Sequence, residues 1–160
     1  QDLKEIVRSS VKDVRKIIFD LRPMSLDDLG LLPTLKRYID KFIRNTEIDI
    51  NFQVLGNKER LKPAYEVTIF RLVQEALNNI HKHSEASSGK VILEFARQKV
   101  NIAISDDGVG FDTENVPEDK YGLVSMRERC QLVNGELIIH SEKNRGTRIN
   151  ISIPLKKEEG

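Results

Sequence analysis

Over the first twenty-one residues the apolar positions Leu3, Val7, Val11, Val14, Ile18 and Leu21 recur at spacings of three and four with charged residues between them, which predicts an amphipathic helix. Ile6 and Ile17 widen its stripe. Such a helix cannot bury its apolar face alone, so it pairs either with another helix, upstream or from a second subunit, or with the rest of this chain. Pro23 ends the pattern, because it removes a backbone donor and restricts the residue before it. Residues 24–32, with Ser25, Asp27, Asp28 and Gly30, read as a linker, and Leu35, Tyr38, Ile39, Phe42 and Ile43 then predict a second helix. Ile48, Ile50, Phe52 and Val54 alternate with polar residues, the period of a half-buried strand.

Pro63 suits the first turn of a third helix running to about residue 83, with Val67, Phe70, Val73, Leu77 and Ile80 on its buried side. Strands are predicted at about 90–95, 100–105, 136–141 and 147–154, and a helix at about 123–133. The order helix, strand, helix, two strands, helix, two strands describes an α+β chain: a two-layer α/β sandwich with helices over one face of a mixed sheet.

At 160 residues the chain holds one domain plus a short extra element. With 39% apolar and 32% charged residues it is globular, and no run is long and apolar enough to span a membrane. A net charge of +1 gives no general reason to expect nucleic acid as a partner, so any phosphate recognition is local. The single Cys130 and three histidines match no zinc spacing, and a reducing, cytoplasmic setting is expected. No signal peptide is recognisable, and the uncapped start at Gln1 reads as a cut through a longer chain.

The third helix carries Arg71, Glu75, Asn78, Asn79 and Lys82 at helical spacing. A solvated face accounts for such a pattern, but adjacent amides one turn beyond a carboxylate also offer oxygen ligands of the kind Mg²⁺ takes alongside water and phosphate. Asp106-Asp107-Gly108-Val109-Gly110 follows the strand at 100–105, and there the glycines allow close backbone approach while an acidic residue offers acceptors to a base edge. Read alone, an ordinary Asp-Gly turn explains it. Two further clusters are Gly122-Leu123 with Met126 and Arg127 at a helix start, a natural phosphate site, and Gly146-Thr147 entering the last strand. There is no P-loop, and no Gly-x-Ser-x-Gly or Cys/His pairing.

The serial order of these clusters, Glu75 to His83, then Asp106 to Gly110, then Gly122 to Arg129, then Gly146-Thr147, resembles the four boxes of the GHKL (Bergerat) ATP-binding fold over about residues 48–155. Phe19-Asp20-Leu21-Arg22-Pro23 and the Leu26-to-Leu31 segment resemble the hairpin end and linker of sensor histidine kinases of the DegS, NarX and DesK group. The resemblance implies residues 1–23 as the second helix of a dimerisation and phosphoacceptor hairpin, 24–34 as linker and 35–160 as the ATP-binding domain. It implies Asn79 as the Mg²⁺ ligand, and Glu75 as candidate base and possible metal neighbour through water. Lys82 and His83 fall at phosphate contacts, Asp106 on the adenine amino group, and Gly108 and Gly110 beside the purine. Residues 111–120 fall in a lid hinged at Gly122 and Leu123, and Thr147 supports Asp106. Met126, Arg127 and Gly146 complete the ATP-binding set.

Ser125 and Asn144 stand where the family usually has glycines, which implies altered lid flexibility. The family phosphorylates a histidine on the first hairpin helix, and none of His81, His83 and His140 precedes residue 81. The chain is therefore expected to bind Mg-ATP without phosphorylating itself, as the kinase part of a two-component system that passes phosphate to a response regulator. The resemblance further implies a homodimer in the full-length protein; for the present chain neither a nucleic-acid partner nor direct membrane contact is expected. An anti-sigma-factor serine kinase and a nucleotide-free interaction module are the alternatives: the first gives no reason for half a hairpin, the second none for Glu75, Asn79 and Asp106 together.

Overall fold

The computed structural model describes residues 3–7, 9–10, 23–114 and 121–156. Residues 3–7 and 9–10 are helical and exposed, and the rest of the first apolar stripe lies outside the described residues. The elements that follow are α1 (Met24–Leu29), α2 (Leu31–Thr46), β1 (Asp49–Gly56), α3 (Pro63–Asn79) with a π-helical turn (Ile80–Ser84), β2 (Ser88–Ala96), β3 (Lys99–Asp106), α4 (Tyr121–Leu132), β4 (Glu136–Ser141) and β5 (Thr147–Pro154).

The segment read as a linker is mostly helix. Leu26 is completely buried in the core and Leu31 nearly so, which anchors α1 and the first turn of α2 on the domain. Gly30 joins the two at φ 78°, a conformation in which glycine carries no Cβ penalty. Thr34 Oγ1 donates to Ser25 O at 3.0 Å, and Pro33, in the first turn of α2, forfeits no intrahelical bond. The punctuation Pro-Gly-Pro thus marks a tight helix–helix corner rather than a free tether.

The sheet order is β1-β2-β3-β5-β4, with β1 parallel to β2 and the other pairs antiparallel, so the sheet is mixed as expected. Period-two alternation sends Val91, Leu93, Phe95, Val100, Ile102, Ile104, Ile149, Ile151 and Ile153 to the helical layer, all buried. On the opposite face a polar ladder crosses three strands, with Asn101 Nδ2 donating to Glu94 Oε2 at 2.7 Å and Ser152 Oγ donating to Asn101 Oδ1 at 3.1 Å.

α3 is the parallel crossover between β1 and β2 and is more deeply buried than a surface helix. Ile69, Leu72, Val73, Ala76 and Leu77 are almost fully enclosed, and Arg71, read as part of a polar outer face, is buried too, donating to Gln74 Oε1 at 2.6 Å. The polar residues of α3 divide between two neighbours. Asn78 faces α2, where Tyr38 OH donates to its Oδ1 at 3.4 Å, while Glu75 and Asn79 face away toward α4. Cys130, on α4, is buried in the core, where burial pushes its thiol up. Among the described residues no helix is long and apolar enough to cross a membrane.

Candidate nucleotide site

Glu75 and Asn79 lie four residues apart on α3 and therefore one above the other on a single face. The helix then loosens into the π-helical turn, a distortion that tends to occur at functional sites, and this turn carries Lys82 and His83. Ser84 closes it: its Oγ donates to Ile80 O at 2.6 Å and accepts from Ala86 N at 3.1 Å, and its carbonyl accepts Val109 N at 2.7 Å. The end of the helix is in this way fastened to the glycine loop after β3.

That loop is shaped by two carboxylates with opposite surroundings. Asp107 is exposed and accepts four hydrogen bonds, from the backbone N–H and hydroxyl of Ser87 at 3.0 and 3.0 Å and of Ser88 at 3.0 and 2.8 Å. The Ser88 bonds, backbone then hydroxyl, contribute most to holding its pKa down at about 2. Asp107 is thus a clamp between the loop and β2. Asp106 is half-buried, and burial raises its pKa above the ordinary value, opposed by the Gly108 N–H at 2.9 Å and raised further by Asp107, with the Thr147 N–H also pulling it down. Asp106 pairs with Thr147 across β3 and β5, which fixes the two side by side.

Several glycines are required by contact. A Cβ on Gly108 would run into Ser84 O, one on Gly110 (φ 59°) into Glu142 O, and one on Gly146 (φ 73°) into Asp106 O. Asn144, in place of an expected glycine, takes φ 63°, which Asn tolerates, and its N–H donates to Val109 O at 2.6 Å. Gly122 opens α4 directly against α3: a Cβ there would strike Glu75 Oε1 and stand 3.0 and 3.2 Å from Asn79 Oδ1 and Nδ2.

Glu75, Asn79, Lys82, His83, Asp106, Gly110, Gly122, Leu123 and Thr147 all line one cavity of about 190 Å³. Gly108 and Gly146 are buried backbone supports, Met126 is a fully buried core residue on the inner side of α4, and Arg127 is exposed; none of these four lines the cavity. Ile80, Ile104 and Ile149 give the cavity an apolar floor that the motif pattern did not single out, because nothing distinguishes them from ordinary core residues until the strands are paired.

The donor set fits a phosphate-bound divalent ion. Asn79 Nδ2 is buried with no hydrogen-bond partner, a donor left for an acceptor such as a phosphate or water oxygen, while the amide Oδ1 and the nearby Glu75 carboxylate are the oxygens that could serve an ion. Among the described residues no group of three or more His, Cys, Asp or Glu could hold a metal by itself, so an ion here would need oxygens from the substrate and water.

The chain is 46% identical over 159 residues to the signal transduction histidine-protein kinase/phosphatase DegS of Brevibacillus brevis, covering 99% of this chain and 41% of that one. It is 43% identical over 163 residues to the DegS of Bacillus subtilis, covering 97% and 42%, and 35% identical over 154 residues to the oxygen sensor histidine kinase NreB of Staphylococcus carnosus, covering 96% and 44%. The chain thus spans about two-fifths of the length of these relatives. Among solved structures, the histidine kinase domain of the blue-light activated kinase from Erythrobacter litoralis superposes with a TM-score of 0.61 at 25% identity, over 76% of this chain and 59% of that one. The catalytic domain of histidine kinase ThkA superposes with a TM-score of 0.59 at 18% identity, over 80% and 93%, a likeness of fold. Residues 64–157 match the profile of the histidine kinase-, DNA gyrase B- and HSP90-like ATPases, and with α3, the glycine loop, α4 and β5 arranged around one cavity the chain belongs to that family.

Proposed function

We propose that this chain is the catalytic, ATP-binding part of a cytoplasmic two-component sensor histidine kinase, acting on a histidine of a dimerisation hairpin. The γ-phosphorus would be attacked by the histidine nitrogen with ADP leaving, and the phosphoryl group would then pass to an aspartate of a response regulator. The observation that carries this reading is the convergence of Glu75, Asn79, Lys82, Asp106, Gly122 and Thr147 on one cavity. At its Asp106 end the carboxylate accepts the amino group of adenine, and the apolar floor of Ile80, Ile104 and Ile149 takes the purine. At the other end Lys82 and His83 meet the phosphates.

Asn79 would hold Mg²⁺, with Glu75 reaching it through a water. When bound, the ion supplies neutralisation of phosphate charge. Glu75 would serve as the base for the acceptor's proton, and the lid expected at 111–120, of which residues 115–120 lie outside the described residues, would hinge at Gly122 and Leu123. Phosphoryl transfer depends chiefly on positioning and charge neutralisation, so a domain that supplies both needs only an acceptor brought in line. That acceptor belongs to the hairpin, of which residues 1–23 would form part, with the full-length protein a homodimer.

Calorimetric titration with ATP, with and without Mg²⁺ and with GTP as control, tests the reading. Micromolar, adenine-preferring, Mg²⁺-dependent binding is expected, and Asp106→Asn should weaken it by about ten- to a hundredfold, the worth of a hydrogen bond to a charged group. No binding by the parent chain would overturn the nucleotide assignment, and an interaction module would take its place.

A further inference from the structure

Ser141, the last residue of β4, does not line the cavity, yet it touches three of the groups that shape it. Phe111 N–H, at the start of the proposed lid, donates to Ser141 Oγ at 2.9 Å. Ser141 Oγ lies 3.1 Å from Gly146 O, and 2.8 Å from Thr147 Oγ1, its partner across β4 and β5.

A hydroxyl has one proton and two acceptor lone pairs, which decides how these bonds run. Phe111 occupies one lone pair, and Gly146 O, having only lone pairs, takes the Ser141 proton. In the arrangement that satisfies all three partners at once, the second lone pair is left for Thr147, whose hydroxyl then donates. Thr147 Oγ1 then has no proton to offer the cavity it lines, and presents only lone pairs beside the Asp106 carboxylate, another acceptor.

We infer that Ser141 is a specificity-determining positioning residue of this site: by accepting the Thr147 hydroxyl it makes the base end of the cavity acceptor-only, and so selects a purine that offers an amino group there over one that offers a carbonyl. The inference rests on the nucleotide reading above and adds the residue that sets its base preference. The same serine ties the first lid residue to the β4–β5 turn, so base readout and lid attachment share one atom.

The test compares ATP with ITP, which carries a carbonyl in place of the 6-amino group, on this chain and on Ser141→Ala, Ser141→Thr and Thr147→Val. Ser141→Ala frees the Thr147 proton, and the ATP-to-ITP affinity ratio is expected to fall roughly two- to tenfold, the range of one neutral hydrogen bond. Ser141→Thr, which keeps the hydroxyl, should retain the ratio. Ser141→Ala added to Thr147→Val should change it no further, because the serine acts through the threonine. A second readout needs no nucleotide: amide exchange at Phe111 should speed up in Ser141→Ala and stay slow in Ser141→Thr. A parent chain that discriminates ATP from ITP while Ser141→Ala keeps the same ratio would overturn the inference and leave the nucleotide site standing. A parent chain that binds neither nucleotide would overturn both.

Discussion

Gly122→Ala separates stability from function at the contact between α4 and α3. Gly122 is helical and has no positive φ to protect, so the backbone accepts alanine, and glycine-to-alanine within a helix stabilises by up to about 1 kcal/mol. The new methyl has only side-chain tips in its way. Glu75 Oε1 must leave, and the Asn79 amide at 3.0 and 3.2 Å must yield a few tenths of an ångström. Turning Glu75 about 30° off its rotamer costs about 0.5–1.5 kcal/mol, which nearly cancels the helix gain. Net stability should therefore change by less than about 1 kcal/mol, a few degrees in Tm for a chain of this size. The functional groups are displaced by about 1 Å, a shift of the scale that costs up to about a hundredfold in a reaction governed by positioning. Thermal unfolding followed beside Mg²⁺-dependent ATP binding and phosphoryl transfer to a separately supplied hairpin measures both. A loss of several kcal/mol in stability, or unaltered transfer at unaltered stability, would refute the claim that Gly122 is glycine for the sake of Glu75 and Asn79.

Asn79→Ala should leave the unfolding transition intact and remove the Mg²⁺ dependence of ATP binding; calorimetry that still shows a full Mg²⁺ response would move the ion to another residue. Asp107, with its pKa lowered to about 2, favours the folded state most above about pH 4 and loses that contribution as pH falls toward 2, so denaturation curves across this range should be flatter in Asp107→Asn than in the parent. Arg60→Ala should cost roughly 1–3 kcal/mol in urea unfolding, the penalty of leaving a buried group unsatisfied and large for a side chain 63% exposed, because Arg60 Nε is 3.1 Å from the Oε1 of Glu66, a carboxylate whose side chain is only 2% exposed. A loss no greater than a few tenths would show that Glu66 is satisfied without it.

The strands and α3 were legible in the sequence because period two and period 3.6 are imposed directly by the faces they bury. Much of the candidate site was legible for a different reason: Glu75, Asn79, Asp106, Gly122 and Thr147 are polar or glycine residues at fixed spacing beside apolar runs, and all of them meet at one cavity. What escaped was long-range. Leu26 is one leucine between Pro23 and Gly30, and only its complete burial reveals α1. Arg71 and Asn78 carry the same signal as Glu75 and Asn79 but face the core and α2, a difference that helical spacing cannot express. Met126 sits in the motif and Ser141 outside it, yet Met126 is core and Ser141 bonds to Thr147, six residues on, a relation that only the β4–β5 register creates.

The parallel pairing of β1 and β2 has a kinetic consequence. Parallel neighbours cannot be joined by a hairpin, so the chain must travel the length of α3 and the π-helical turn before β2 can dock on β1. Glu75, Asn79 and Lys82 ride on that obligatory crossover, and an opening that frees them must also undo the β1–β2 edge of the sheet. β4 and β5 form an antiparallel pair at the other edge, closed by a short turn that carries Asn144 and Gly146. Opening of the β4 edge and its turn would loosen the base end of the cavity while the crossover stays folded. Amide exchange should accordingly divide the cavity in two, with protection near the global limit on the α3 wall and faster opening around Thr147.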